Sequence, residues 1–402
     1  MPRRPGSHQH SPLRIVASTP HALALLGSSL VGRLPSAMSS LAIVQLVRLQ
    51  DGGFALAGVM TAAYIVSGAV GQPILGRRID RTRQTPVLLV AAVVSTLAFV
   101  AMAVTVSALP LVGILAAAVA GLFTPPLEPS LRTLWPRLVP EGPVLKAAFS
   151  LDAGAQEIIF IVGPLLTVVG ITAFGATGNI VFAALLGLAG TLAFAANRAS
   201  RSVQAAALTA TDAPRRSPLR VAEFRRIVIF ALGAGAPVGT LAIVVTVFEE
   251  HHGVPGFAGW ALAANALGAL IGATALALRP LARAPQTLLL PCGLLLALVY
   301  VPLLFAELPP GIYLAAAVLS GLLFPPTLAQ IFESTEQLSA RTGLTEANAW
   351  VVSALNVGIA LGTLGASAVA ASGSAFAIPI AVGGAALLTV LLSVPVRPSR
   401  MR

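Results

Sequence analysis

Long apolar runs, separated by short polar breaks, dominate the chain. They fall near residues 22–47, 54–76, 86–107, 111–133, 146–171, 178–197, 224–248, 256–278, 286–306, 312–332, 346–371 and 375–395. Each is close to the roughly 20 residues a helix needs to cross a bilayer core. In hydrocarbon every backbone N–H and C=O must be satisfied within its own segment, so such runs become helices. The pattern therefore predicts an all-α membrane protein with twelve transmembrane helices. Composition strengthens this: 56% hydrophobic residues, with a mean hydropathy of +0.90, leave too little polar surface to cover a soluble core. The first run is too long for a signal-peptide core and is expected to act as its own insertion signal. Cys292, the single cysteine, lies within the ninth run and is read as a packing residue.

Charge then orients the helices. Of the 25 basic residues, all but Arg33 and Arg48 fall on one side if the amino terminus is cytoplasmic. That side holds the cluster GRRIDRTRQ at 76–84, Arg132, Arg137, Lys146, the run from Arg198 to Arg226, Arg279, Arg283, Arg341 and the tail arginines. The positive-inside rule puts that side in the cytoplasm, together with both termini. The net charge of +11 is accordingly a topology signal facing an anionic leaflet, and nucleic acid is not an expected partner.

The chain also repeats itself. GLFTPP begins at Gly121 and GLLFPP at Gly321, an offset of 200, and Arg77 and Arg81 are echoed by Arg279 and Arg283 at an offset of 202. The hydrophilic stretch containing TATDAPRRSP separates the two copies. This divides the chain into a bundle over 1–197, a cytoplasmic linker over 198–223 and a second bundle over 224–402. Paired bundles around a midplane site are a transporter solution to alternating access. With these features the chain resembles the major facilitator superfamily over essentially its whole length. That family carries G-x-x-x-D-R-x-G-R-[RK] between its second and third helices. Gly76, Asp80 and Arg81 fall on matching positions, while Arg83 and Gln84 depart from it. The resemblance implies close helix approach at Gly76 and a conformational latch at Asp80 and Arg81 favouring closure on the cytoplasmic side.

Buried polar residues supply the candidate site. Arg33 lies about twelve residues into the first run, near the midplane, on a stripe with Ser29, Ser36 and Ser40 expected to face a cavity. The fifth run carries Asp152, Gln156 and Glu157, and Glu128 lies in the inner third of the fourth. A central charge costs about 2.5 to 3.5 kcal/mol on insertion scales, so mutual pairing of Arg33 and Glu157 is the economical arrangement. It serves either as a static pin between helices or as a proton- or substrate-coupling site. The second half offers Asn356 where the first has Glu157, with Asn265, Gln330, Trp350 and Glu333 as further polar candidates. Glu249 to His252 reads as a solvated loop, since adjacent histidines lack metal-ligand helical spacing. Gly163 and Pro164 mark either a helix kink or the Gly-Pro ending that the resemblance associates with exporters.

These readings converge on a proton-coupled secondary transporter of the inner membrane, exporting small hydrophobic or amphipathic compounds. Its expected partners are a small-molecule substrate, protons and lipid, with a monomeric chain and no cofactor or metal. A carrier for a polar metabolite such as a sugar or organic anion is the alternative, in which Arg33 would hold the anion. A membrane-embedded enzyme ranks lower, because no nucleophile with its base and no paired aspartates for a metal fall within the runs. No phosphate-binding loop is visible, which disfavours ATP-driven transport.

Overall fold

The computed structural model describes residues 12–201, 218–278, 284–339, 344–374 and 376–393, leaving aside the side chains of Pro12, Leu13, Asp80, Ser339, Leu344, Thr345 and Glu346. Arg3, Arg4, the linker stretch 202–217, Arg279, Arg283, Arg341 and the tail arginines lie outside the described residues. Every apolar run of the sequence is met by helix. After a short leading helix, Pro12–Ser18, come α1 (Ala22–Arg48), α2 (Phe54–Arg81), α3 (Gln84–Thr105) and α4 (Pro110–Leu138). The run Pro143–Ala196 contains α5 and α6, divided at Gly175, whose φ of 70° and ψ of 175° leave the helical region. Then follow α7 (Ala222–His252), α8 (Phe257–Leu278), α9 (Pro285–Leu304), α10 (Pro310–Leu338), α11 (Leu344–Ala371) and α12 (Ala377–Leu392). Among the described residues, ten helices are long and apolar enough to cross a membrane, the Pro143–Ala196 run being one of them, and Ala377–Leu392 is a shorter apolar helix. Leu97, Leu111 and Leu278 are strongly exposed, which is what a lipid-facing surface requires.

Two helices expected to be continuous are interrupted. α4 breaks between Leu122 and Leu127, where Thr124 is followed by Pro125 and Pro126, which cannot donate to the preceding turn. α10 is disturbed at the equivalent Leu322 and Leu323. The repeated glycines explain the packing around these breaks. A Cβ on Gly71 would run into the carbonyl of Leu122, and one on Gly121 into that of Tyr64, where α2 crosses α4. In the second half, Gly272 meets the carbonyl of Leu322 and Gly321 that of Asn265, where α8 crosses α10. The same small-residue contact recurs in both halves, as expected of helices that associate through close backbone approach.

The helix ends define two sides. One, the basic end, carries Arg77, Arg78, Arg81, Arg83, Arg137, Lys146, Arg198 and Arg201; the far end carries the turns at 49–53, 106–109, 253–256 and 372–374. Contacts between the two halves occur toward the far end. Gly58 of α2 packs on Thr363 and Ser367 of α11, and Gly259 of α8 packs on Pro164 and Val168 of α5.

Candidate functional site

Arg33 is buried in the amino-terminal half, at 6% exposure, and is held by acids other than the expected one. Its Nη1 donates to Asp152 Oδ1 at 2.8 Å, and its Nη2 lies 3.1 Å from Glu128 Oε2. The second approach lacks hydrogen-bond alignment, so it contributes charge attraction without a formed bond. Arg132 completes the group: it sits one turn from Glu128 on the same face, at 2.7 Å, and reaches Asp152 Oδ2 through Nε at 3.4 Å. Two cations and two carboxylates thus join α1, α4 and α5 into a neutral network. Asp152 at its centre is fully buried.

Glu157 takes no part, which corrects the pairing expected from the sequence. The reason lies in helical geometry: five residues at about 100° each place Glu157 about 140° around α5 from Asp152. If Asp152 points into its own half, Glu157 must point elsewhere. It lines a cavity of about 320 Å³ between the two halves, walled by α1, α5, α7, α8 and α10. Ser36, Ser40 and Asn265 supply its other polar groups, and Phe160, Leu241 and Phe324 belong to its apolar wall. Glu157 is the only ionisable residue among the lining residues described. Among the described residues it has no ion-pair or hydrogen-bond partner. The polar stripe of α1 is therefore split by depth: Ser36 and Ser40 face the cavity, whereas Ser29 and Arg33 are buried nearer the basic end. Gln156, one turn beyond Asp152, has a buried Oε1 without a partner.

In the second half Asn356 bonds the carbonyl of Val352 on its own helix and does not line the cavity, so it is not the counterpart of Glu157. Asn265 fills that role across the cavity; its Nδ2 donates to Ser320 Oγ at 2.9 Å, tying α8 to α10. Gln330 is buried with its Oε1 unpartnered, Trp350 is exposed and Glu333 is exposed near the basic end. Gly163 and Pro164 keep helical backbone angles, and the break in their run is at Gly175. Their role is contact: a Cβ on Gly163 would lie 2.7 Å from that of Ala37, so the glycine lets α5 cross α1.

Two further expectations are altered at the helix ends. A Cβ on Gly76 would meet nothing within 4 Å, so the close approach expected there is absent in this conformation. Arg81 is exposed, and the side chain of Asp80 lies outside the described residues. At the far end, Glu249 and Glu250 are not simply solvated. Arg48 of α1 binds Glu250 of α7 through both Nε and Nη2, at 2.8 and 2.7 Å. Glu249 accepts Gln45 at 3.3 Å and the backbone N–H of Ala258 at 2.7 Å. Arg48 and Gln45 of α1 with Glu250 and Glu249 of α7 thus bolt the two halves together. His252 stacks on Phe248, with centroids 4.0 Å apart, and no metal-binding cluster occurs among the described residues. Sequence spacing carried no signal for the Arg48–Glu250 pair, which is separated by 202 residues.

Comparison with known proteins bears on what this architecture is. The family model described as Major Facilitator Superfamily matches residues 25–345. Among solved structures, a mutant of the peptide transporter POT in complex with sulfate is 14% identical with a TM-score of 0.72, covering 96% of this chain and 97% of that one. A mutant of the nucleoside transporter NupG is 16% identical with a TM-score of 0.70, covering 92% and 97%. A POT family transporter in complex with 5-aminolevulinic acid is 11% identical with a TM-score of 0.71, covering 95% and 98%. At these identities the likeness establishes the fold alone. No curated protein matches the sequence as a relative.

Proposed function

The chain belongs to the major facilitator superfamily and is a multi-pass membrane transporter, and on that premise we propose that it is a proton-coupled exporter of small hydrophobic or amphipathic compounds. The observation that carries this reading is Glu157: a carboxylate with no partner among the described residues, lining an otherwise mostly apolar cavity between the halves. A group so placed can take up a proton when the cavity is empty and release it when substrate or solvent changes its surroundings. Arg33, by contrast, is already neutralised by Asp152 and Glu128, and its role is to hold three helices of one half together.

Alternating access follows if the units 1–197 and 224–402 rock about the cavity while the 198–223 segment links them. The positive-inside rule assigns the basic end and both termini to the cytoplasm of a cell-membrane protein. The bolted far end and the open space around Gly76 fit a state closed to the outside and open inward. Asp80 and Arg81, at the basic end of α2, then serve as the latch of the opposite state. A single chain holds the whole cavity, so a monomer suffices.

The test is transport in proteoliposomes under an imposed pH gradient with a panel of apolar, amphipathic and polar solutes. Concentrative movement of apolar or amphipathic compounds that stops when the gradient is collapsed, leaving equilibration, is the expected result. Accumulation that persists after collapse overturns proton coupling. Ser36, Ser40 and Asn265 favour a second reading, a carrier for a polar metabolite, and selective movement of the polar solutes would establish it instead.

A further inference from the structure

The charge balance of the cavity restricts what it can hold. Its described lining includes one acid and no base, while the nearest described cation in sequence along α1, Arg33, is bound between two carboxylates outside the lining. Of the elements packed on the Pro143–Ala196 run, α1 brings Arg33 and Arg48, the lower limb of α4 brings Glu128, Arg132 and Arg137, the leading helix brings Arg14, the short helix Arg198–Arg201 brings its two arginines at the basic end, and α3 and α8 bring no ionisable side chain. The run itself carries Asp152 and Lys146. Across the cavity, α7 carries Glu223, Arg225 and Arg226 toward the basic end and Glu249, Glu250 and two histidines at the far end, and α10 carries Glu333 and Glu336 below the cavity. None of these groups is among the lining residues beside Glu157.

A negative point in an apolar pocket disfavours anions, which would meet Glu157 with no compensating cation, and favours either a proton or an organic cation. The phenyl rings of Phe160 and Phe324 belong to the same wall, and aromatic faces attract cations from which water has been removed. The volume of about 320 Å³ leaves room for a small organic ligand with an apolar body. We propose that the cavity takes a small monovalent organic cation, an amine or quaternary ammonium on an apolar body, which binds at Glu157 in exchange for the proton. This rests on the transport reading above and narrows its substrate class. No bond is made or broken apart from the O–H of Glu157: the proton leaves to solvent as the cation enters, so the charge of the site is unchanged.

The experiment measures equilibrium binding of benzyltrimethylammonium to the purified full-length protein between pH 5 and pH 8. Its carbon isostere neopentylbenzene and the anion phenylacetate are the controls. Saturable binding that weakens about tenfold per pH unit on the acid side, releases about one proton per cation in weakly buffered solution, and exceeds that of both controls is expected. Glu157→Gln should lower affinity at least tenfold and abolish proton release, and Glu157→Asp should retain both. Equal binding of cation and isostere, preference for phenylacetate, or pH-independent cation binding that survives in Glu157→Gln would overturn the proposal. Because no gradient is present, the two readings fail separately. Cation binding at Glu157 without gradient-driven transport sinks the exporter alone, whereas gradient-driven transport of neutral or anionic solutes without cation binding sinks this inference alone.

Discussion

Replacing Asp152 by asparagine removes the centre of the Arg33 network while nearly conserving its shape. In the native protein two guanidinium groups face two carboxylates; after the change, Arg33 retains only Glu128, whose side chain is 36% exposed and not aligned for a hydrogen bond. The cluster then carries one uncompensated positive charge, and Arg33 within it is only 6% exposed. Removing one partner of a buried pair typically costs about 3 to 5 kcal/mol, and the network should lose an amount in that range. Arg132 is half exposed, so Arg132→Gln should cost far less, about 0 to 1 kcal/mol. Glu157→Gln should cost little, because no partner is stranded. Thermal unfolding in nanodiscs measures the ranking, and a double-mutant cycle of Arg33→Gln with Asp152→Asn measures the coupling, which should recover much of the single-variant loss. Coupling of Arg33 to Glu157 and not to Asp152, or an Asp152→Asn variant no more damaging than Glu157→Gln, would show that the network does not hold Arg33.

Other outcomes follow from the same geometry. Arg48→Gln should loosen the far-end bolt and raise the accessibility of cysteines placed along α7 to reagents added outside, with Glu250→Gln giving the same change; unchanged labelling would show that apolar packing alone closes that end. Gly272→Ala puts a methyl group against the carbonyl of Leu322, and should reduce stability by about 1 to 3 kcal/mol or more, as for overpacked cores, when read by thermal unfolding. Gly76→Ala meets open space in this state and should cause no loss in the same measurement, with a gain of at most about 0.5 to 1 kcal/mol from helix propensity. Asp80→Asn should weaken the latch of the opposite state and raise labelling of cavity cysteines from the basic end, whereas unchanged labelling would leave Asp80 as a topology residue.

Much of the fold was legible because lipid imposes one rule on every segment. Apolar length locates the helices, and the Gly121 and Gly321 repeats locate the crossings that pack alike in both halves. The site was less legible. Arg33, Glu128, Asp152 and Glu157 are all visible as costly charges, but their pairing depends on how α1, α4 and α5 are rotated about their axes, which hydropathy does not encode when helices are apolar on every side. One local signal was present: the five-residue spacing of Asp152 and Glu157 puts the two acids on different faces, so a single arginine on α1 is not expected to serve both. Asn265 was a better counterpart to Glu157 than Asn356 for a reason absent from sequence offsets: the cavity draws on α8, while Asn356 turns back onto its own helix. The pairing of Arg48 with Glu250 joins segments from different halves, and only their assembly brings it into view.

The most direct test of the account compares wild-type protein with Glu157→Gln in proteoliposomes, following one transported solute in two modes. In exchange mode, with solute on both sides and no pH gradient, both proteins should equilibrate label, because the cavity and the rocking halves remain. In concentrative mode, with a pH gradient imposed, wild type should accumulate solute and Glu157→Gln should stop at equilibrium. Gradient-driven accumulation by Glu157→Gln at the wild-type level would contradict the account, since the proton would then be carried by a group other than the acid that lines the cavity.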